Sequence, residues 1–335
     1  MVKTMTLAAA VSALTLSTAA FSQASAQELK VVASFSVIAD FAKNVGGDRV
    51  EITTLVGPNG DAHVYEPKPA DARALAEADV VLANGLQFEG FLPRLIEASG
   101  TEAPVIELTK GGEVLRNSEE EHHHDHEEAS ADGHDHDHDH EAEEADHDHA
   151  EGHGHHHHGE YDPHAWQSVH NAEVYVKNIA DAFCEADADG CDTYRANADA
   201  YEKKLAELDT YVKEQVAEIP ENKRTVITSH DAFGYFQHEY GLKFLAPEGI
   251  STESEASAAD VAALVNQVKE DQASAVFVEN ITNPRLIEQI ANETGLKVGG
   301  ELYSDALSDE DGPASTYIDM MRHNVETIKN DILGS

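Results

Sequence analysis

The chain has 335 residues, with 64 Asp and Glu against 22 Lys and Arg, a formal net charge of −42, and 21 histidines. A chain this acidic presents no basic face, which excludes nucleic acid and anionic membrane surfaces as partners, since both are bound through Lys and Arg. High negative charge keeps a protein in solution and draws cations toward it.

Residues 1–26 read as an export signal: Lys3, an apolar run from Leu7 to Ala20, then Ala24-Ser25-Ala26 as a small-residue cleavage motif before Gln27. No cysteine follows that motif, so a lipid anchor is not indicated, and no later apolar run approaches the roughly 18–20 residues of a membrane span. The expectation is a soluble protein in the periplasm, without membrane insertion.

The next stretch alternates strand-like and helix-like segments. Strands are predicted over Leu29–Phe35, Val50–Val56, Asp79–Asn84 and Ala103–Leu108, with helices over Val37–Val45, Pro69–Ala78 and Glu89–Ser99. The turn cluster Gly57-Pro58-Asn59-Gly60-Asp61 leads into Ala62-His63-Val64-Tyr65. Strands separated by helices imply a parallel, helix-flanked sheet, whose ligands sit beyond the carboxyl ends of the strands, where His63 falls.

The composition then changes. Residues 119–160 hold 17 Asp and Glu and no Lys or Arg. They also carry His122, His123, His124, His126, His134, His136, His138, His140, His147, His149, His153, His155, His156, His157 and His158. Such a run cannot bury a core and is predicted to be disordered and solvated. Imidazole and carboxylate both ligate metals, so the run reads as a loose set of weak, accessory cation sites. A charged linker is the bland alternative; an expression tag fits poorly, because the run is internal and diluted with acid.

Beyond the turn Tyr161-Asp162-Pro163-His164-Ala165-Trp166, a helix is predicted from Val169 to Phe183. The only cysteines, Cys184 and Cys191, are close in sequence, in a compartment that permits disulfides. A bridge between them would contribute about 2–3 kcal/mol through loop entropy. Tyr194, Ala198, Tyr201, Leu205, Leu208, Val212, Val216 and Ile219 then form an apolar helical stripe about 39 Å long, ended by Pro220. Such a helix can join two domains as a rigid spine; a coiled-coil dimer arm is the alternative, and a monomer is expected.

The second half repeats the pattern of the first. Strands are predicted over Thr225–Ser229, Lys243–Ala246, Ala273–Glu279 and Leu296–Tyr303, with helices over Ala232–Tyr240, Ser257–Glu270, Pro284–Glu293 and Ala314–Ile332. His230 and Asp305 sit just past strands. The expected organisation is an α/β protein with two mainly parallel-sheet lobes. The N-terminal lobe spans 27–190 including the histidine-rich run, a linking helix spans 191–219, and the C-terminal lobe spans 220–335.

His63, His164, His230 and Asp305 thus lie in strand-to-helix turns or beside a Pro-stiffened one, two in each half. Singly, a histidine on a turn is usually no more than a polar residue. Together, strand ends of two lobes facing one another would make a cleft where three imidazoles and one carboxylate could converge, the donor set of a closed four-coordinate zinc site. His170, His238 and His323 fall within helices and are read as surface or capping residues.

Four stretches carry a family resemblance: Asp61-Ala62-His63-Val64-Tyr65-Glu66-Pro67-Lys68-Pro69-Ala70-Asp71, Asp162-Pro163-His164-Ala165-Trp166, Ser229-His230-Asp231-Ala232-Phe233-Gly234-Tyr235-Phe236 and Tyr303-Ser304-Asp305-Ala306-Leu307-Ser308. They resemble the signature stretches of the zinc- and manganese-binding solute proteins of bacterial ABC importers. The resemblance implies two α/β lobes joined by a backbone helix, one metal ion between them, and His63, His164, His230 and Asp305 as its ligands. It also implies an ABC transporter permease as partner and, as a further possibility, a periplasmic zinc chaperone. Manganese-specific members tend to place Glu where this chain has His230, and members of the ZnuA type usually carry a His-rich loop, so Zn2+ is the expected ion, in one tight site with weaker sites in the run. Ala62 replaces the Glu that some zinc members place before the first histidine; the last stretch looks like the subgroup, including AztC, in which Asp closes the ligand set. Two alternatives stay open: an extracellular metal buffer without a transporter, and a zinc hydrolase, which would need an open coordination position and a general base and has no His-Glu-x-x-His helix here.

Overall fold

Two four-stranded parallel sheets carry the architecture in a computed structural model that describes residues 28–117, 159–254 and 256–334. The proposed export signal and the histidines from His122 to His158 lie outside the described residues. The first sheet contains β1 (Leu29–Phe35), β2 (Val50–Val56), β3 (Val80–Ala83) and β4 (Val105–Glu107) in the order β2-β1-β3-β4. The second contains β5 (Thr225–Ile227), β6 (Lys243–Leu245), β7 (Ala275–Glu279) and β8 (Val298–Leu302) in the order β6-β5-β7-β8. Both sheets therefore follow one topology, and in both the first strand in sequence is central.

Central position explains composition. β1, Leu-Lys-Val-Val-Ala-Ser-Phe, is buried at every position but Lys30, as a strand covered on both faces requires. The edge strand β2 alternates half-buried Val50, Ile52 and Thr54 with exposed Glu51 and Thr53 before its buried end at Leu55-Val56. Helices α1 (Ser36–Gly46), α2 (Pro69–Glu77), α3 (Leu92–Ser99) and α4 (Val169–Ala186) belong to the first half. Helices α6 (Gly234–Tyr240), α7 (Ala258–Glu270), α8 (Arg285–Thr294) and α9 (Tyr317–Gly334) belong to the second.

Between them runs α5 (Cys191–Ala217), 27 residues and about 40 Å long. Its predicted stripe is buried inside the chain from Tyr194 to Val216, against α1 and α4 on one side and α6 and α9 on the other. The apolar face is thus consumed within one molecule, as the spine reading requires. One hydrophobic core runs through α5 from β1, α1 and α4 to α6 and α9; a smaller core under α7 and α8, built on Ile227, Leu264, Val276 and Ile290, is separate from it.

Two helices, α3 and α9, start three residues later than their apolar patterns predict. The segment ahead of α3 folds back on itself, with Gly85, Leu86 and Gln87 at φ of 90°, 53° and 65°, so the helix begins only at Leu92. The start of α9 is delayed to Tyr317 because Ala314 N donates to Ser308 Oγ at 3.0 Å, closing a loop instead of a helical turn. Gly159 and Glu160, at the end of the histidine-rich run, are among the described residues. Glu160 already belongs to the fold: Asn117 N donates to its carbonyl at 3.0 Å, and its carboxylate pairs with Arg116 at 2.7 Å.

Cys184 and Cys191 form a disulfide at the α4–α5 corner. That corner is separated from His164 by the length of α4, about 27 Å. Replacing both cysteines with Ser is expected to lower unfolding stability by about 2–3 kcal/mol in denaturant titrations while leaving metal affinity unchanged.

Candidate metal centre

Each of the four ligands expected from sequence sits past the carboxyl end of a strand: His63 after β2, His230 after β5, Asp305 after β8, and His164 on the excursion that follows β4. Their donor atoms lie within 4.8 Å of one another. His63 is 8% exposed and the other three are fully buried. Asp305 Oδ2 lies 3.2 Å from His63 Nε2 and 3.1 Å from His230 Nε2, and Asp305 Oδ1 lies 3.7 Å from His164 Nε2. Ligands about 2.0–2.1 Å from a tetrahedral ion are separated by about 3.3–3.4 Å, so the spacing fits a metal held by all four. His63 Nε2, His164 Nε2 and Asp305 Oδ1 are buried without a hydrogen-bond partner, which is costly unless a cation satisfies them.

The ligands are aimed by residues behind them. Asp162 accepts both the backbone N–H of His164, at 2.9 Å, and its ring Nδ1–H, at 2.8 Å, which turns Nε2 toward Asp305. Asp61 accepts the backbone N–H of His63 at 2.9 Å, so Asp-x-His is used twice as one local device. Gly234, at the start of α6, permits the close approach of the second half to Asp162: a Cβ there would stand 2.5 Å from the Asp162 carboxylate. Glu279, at the end of β7, accepts the N–H groups of Ser229 and His230 at 2.7 and 3.0 Å, and its other oxygen lies 2.7 Å from His230 Nδ1. Asp305 is placed from across the cleft, where Trp166 Nε1 and Gln167 Nε2 both donate to the Ser304 carbonyl, at 2.9 and 2.7 Å.

Sequence reasoning missed Asp61, Asp162 and Glu279 as orienting groups. The repeated Asp-x-His was visible and would have revealed the first two. Glu279 lies 49 residues from His230, and only the pairing of β5 with β7 brings them together. The helical histidines stay out of the site: His170 pairs with Glu173 at 3.8 Å, His238 with Glu113 at 3.3 Å, and His323 Nε2 lies 3.0 Å from the Glu301 carbonyl.

A cavity of about 470 Å³ opens at the mouth, lined by His63, Phe88, Gly159, Tyr161, Ile250 and Glu253 among others. Thr252 Oγ1 donates to Asp61 Oδ2 at 2.6 Å and so clasps the two halves two residues from His63. Arg116 and Tyr161, which flank the histidine-rich run in sequence, are joined by an antiparallel bridge, and Gly159 and Tyr161 line this cavity.

A family model described as the periplasmic zinc-uptake complex component A, ZnuA, matches residues 31–331. The chain belongs to this family. Among curated ZnuA-like relatives, the manganese-binding lipoprotein MntA of Halalkalibacterium halodurans is 34% identical over 299 residues, covering 89% of this chain and 87% of the relative. The iron-binding protein YfeA of Yersinia pestis is 30% identical, covering 90% and 86%. Among solved structures, the periplasmic zinc-binding protein TroA of Treponema pallidum superposes with a TM-score of 0.76 at 28% identity, covering 91% of this chain and 99% of that one. A member of the ZnuA family is a metal-binding solute protein of an ABC importer and not an enzyme.

Electrostatics sets the pH dependence of such a site. Burial alone would lower the His164 pKa from 6.5, but the Asp305 and Asp162 carboxylates outweigh it and push the ring up to about 9. His230 is raised too: burial again opposes, and Glu279 and Asp305 prevail. The Asp305 carboxyl, despite burial, is held well below its ordinary range by His230 and His164. In the metal-free protein the raised His164 value stabilises the fold below about 6.5, and that contribution is lost as pH rises through about 9. A metal requires the opposite state, the deprotonated imidazole. Apparent metal affinity is therefore expected to climb as pH rises from 7 through about 9, with protons released on binding, as read by chelator competition and by calorimetry in buffers of different ionisation enthalpy. Glu279→Gln is expected to weaken the metal about 10–100-fold in the same competition assay, since it removes the charge behind His230.

Proposed function

We propose that this chain is the periplasmic capture component of a zinc importer: it binds one Zn2+ between its lobes through His63, His164, His230 and Asp305 and delivers it to an ABC transporter permease. The observation that carries the reading is the donor set, three imidazole nitrogens and one carboxylate buried at spacings that suit a tetrahedral ion. Imidazole favours zinc over manganese in the affinity order of the first-row divalent ions, whereas manganese prefers oxygen donors. The histidine-rich run, whose flanking residues Gly159 and Tyr161 line the mouth, supplies weaker accessory sites that raise the local zinc concentration near the cleft. The acidic export-signal-bearing chain fits a soluble periplasmic carrier, and among the described residues no helix is long and apolar enough to cross a membrane.

Manganese import is the second reading. It is favoured by the MntA relatives and by the reach of both Asp305 oxygens into the cluster, which a higher-coordinate ion can use. Competition decides between the two: with zinc and manganese at equal concentration, native mass spectrometry should find zinc in the cleft, and a preponderance of manganese overturns the zinc assignment. His230→Glu should shift the ratio toward manganese by exchanging a nitrogen for a hard oxygen. Because Gly159 and Glu160 belong to the fold, the run is best removed as residues 119–158. That deletion should keep one tight calorimetric event and lose the weaker ones, whereas His164→Ala should lose the tight one.

A further inference from the structure

Phe88 touches two of the ligand rings and offers no donor atom. Its ring stands edge-to-face to His63 at 4.8 Å between centroids and to His164 at 5.9 Å, and it is backed by Trp166 at 4.8 Å and Phe35 at 5.0 Å. The side chain is only 2% exposed, yet it also lines the mouth cavity. It therefore stands between that cavity and His164, while His63 is the one ligand that reaches the cavity lining itself.

The backbone is distorted to put it there. Leu86 and Gln87 hold left-handed conformations at φ of 53° and 65°, unfavourable for residues with a Cβ, directly after Gly85 at 90°. Strain of this kind survives only where surrounding contacts over-determine it, and it concentrates at functional positions. Here the contacts come from Glu89, a buried carboxylate otherwise unused by the site. Its Oε1 accepts Asn84 N and Ser34 Oγ, each at 2.6 Å, and its Oε2 accepts Gly85 N at 3.3 Å. Asn84 Nδ2 in turn donates to the Pro163 carbonyl at 2.8 Å, one residue from His164. Wall and ligand are thus mounted on the same residue.

We propose that Phe88 is a specificity-determining residue, whose ring keeps water in the mouth cavity off the bound ion and holds the coordination to the four protein donors. Zinc accepts that shell, while manganese prefers six ligands, mostly oxygen, and is denied the waters that would complete its own. The assignment rests on the reading of His63, His164, His230 and Asp305 as the metal site, and the test separates the two.

Cobalt(II) is the probe, because four-coordinate cobalt absorbs visible light strongly and six-coordinate cobalt weakly. The full-length wild type should give the strong band. Phe88→Ala should give the weak one and lose its preference for zinc over manganese by about tenfold or more, through water reaching the ion. Phe88→Leu, which keeps apolar bulk and spares the fold if the alanine variant does not, should lie between the two in both readouts. A wild type with the weak band, or both Phe88 variants unchanged in band and metal ratio while His164→Ala abolishes the band, overturns the role of Phe88 and leaves the cleft site standing. If His164→Ala keeps the wild-type band, the ion is elsewhere, and the site reading fails together with the Phe88 assignment.

Discussion

The structure turns on one buried carboxylate. Asp305 is fully inaccessible and faces three imidazoles at 3.1–3.7 Å, in a pocket whose other wall is aromatic. A dry cluster of this kind is tolerable only when positive charge is shared among its members, as protons on the rings or as a metal ion replacing them. Proton and metal compete for the same nitrogens, so the pull of Asp305 on His164 and His230 is also what makes the site a cation trap. Four loops must keep that competition balanced. The rest of the fold fixes those loops.

Parallel sheets meet this demand because all their strands end on the same side. With two sheets of equal topology, the loops after β2 and β5 are the turns that follow a central strand or its immediate neighbour, and they present His63 and His230 toward each other. Behind the histidines stand carboxylates. Asp162 and Glu279 face the distal Nδ1 atoms of His164 and His230, so each ring is directed toward the cleft from the rear. Asp61 uses one oxygen to hold the His63 backbone and the other to hold Thr252 of the opposite half.

Packing does not divide the molecule where the two sheet patterns divide the sequence. The segment carrying Asp305 comes from the second half, yet it is fastened to the first: Trp166 and Gln167 donate to Ser304, Leu307 N donates to Ser36 Oγ, and Tyr317 N donates to Asp40. The core through α5 and α9 includes those contacts, whereas α7 and α8 pack on a smaller core of their own. Asp305 is therefore bound to the body that holds His63 and His164, while His230 hangs from Glu279 on the sheet of the second.

Local chemistry made much of this legible from sequence alone. Short β-branched apolar runs such as Val31-Val32-Ala33 and Val276-Phe277, set between turn signals, read as strands covered on both faces, the stripe from Tyr194 to Val216 reads as a helix with a buried side, and Pro and Gly punctuate the turns that carry the histidines. These are properties of neighbours along the chain, so the α/β order, the spine and the four ligand-bearing turns follow from them. The tertiary structure alone decided the details that depend on separation in space. It brought Glu279 behind His230, set Trp166 and Gln167 against the loop of Asp305, and bent Gly85-Leu86-Gln87 to place Phe88 against the ligand rings, delaying the helix expected from Glu89 to Leu92. The physical reason is that a carboxylate's partners are chosen by strand order and lobe packing, which bring together residues whose sequence neighbourhoods contain no trace of one another.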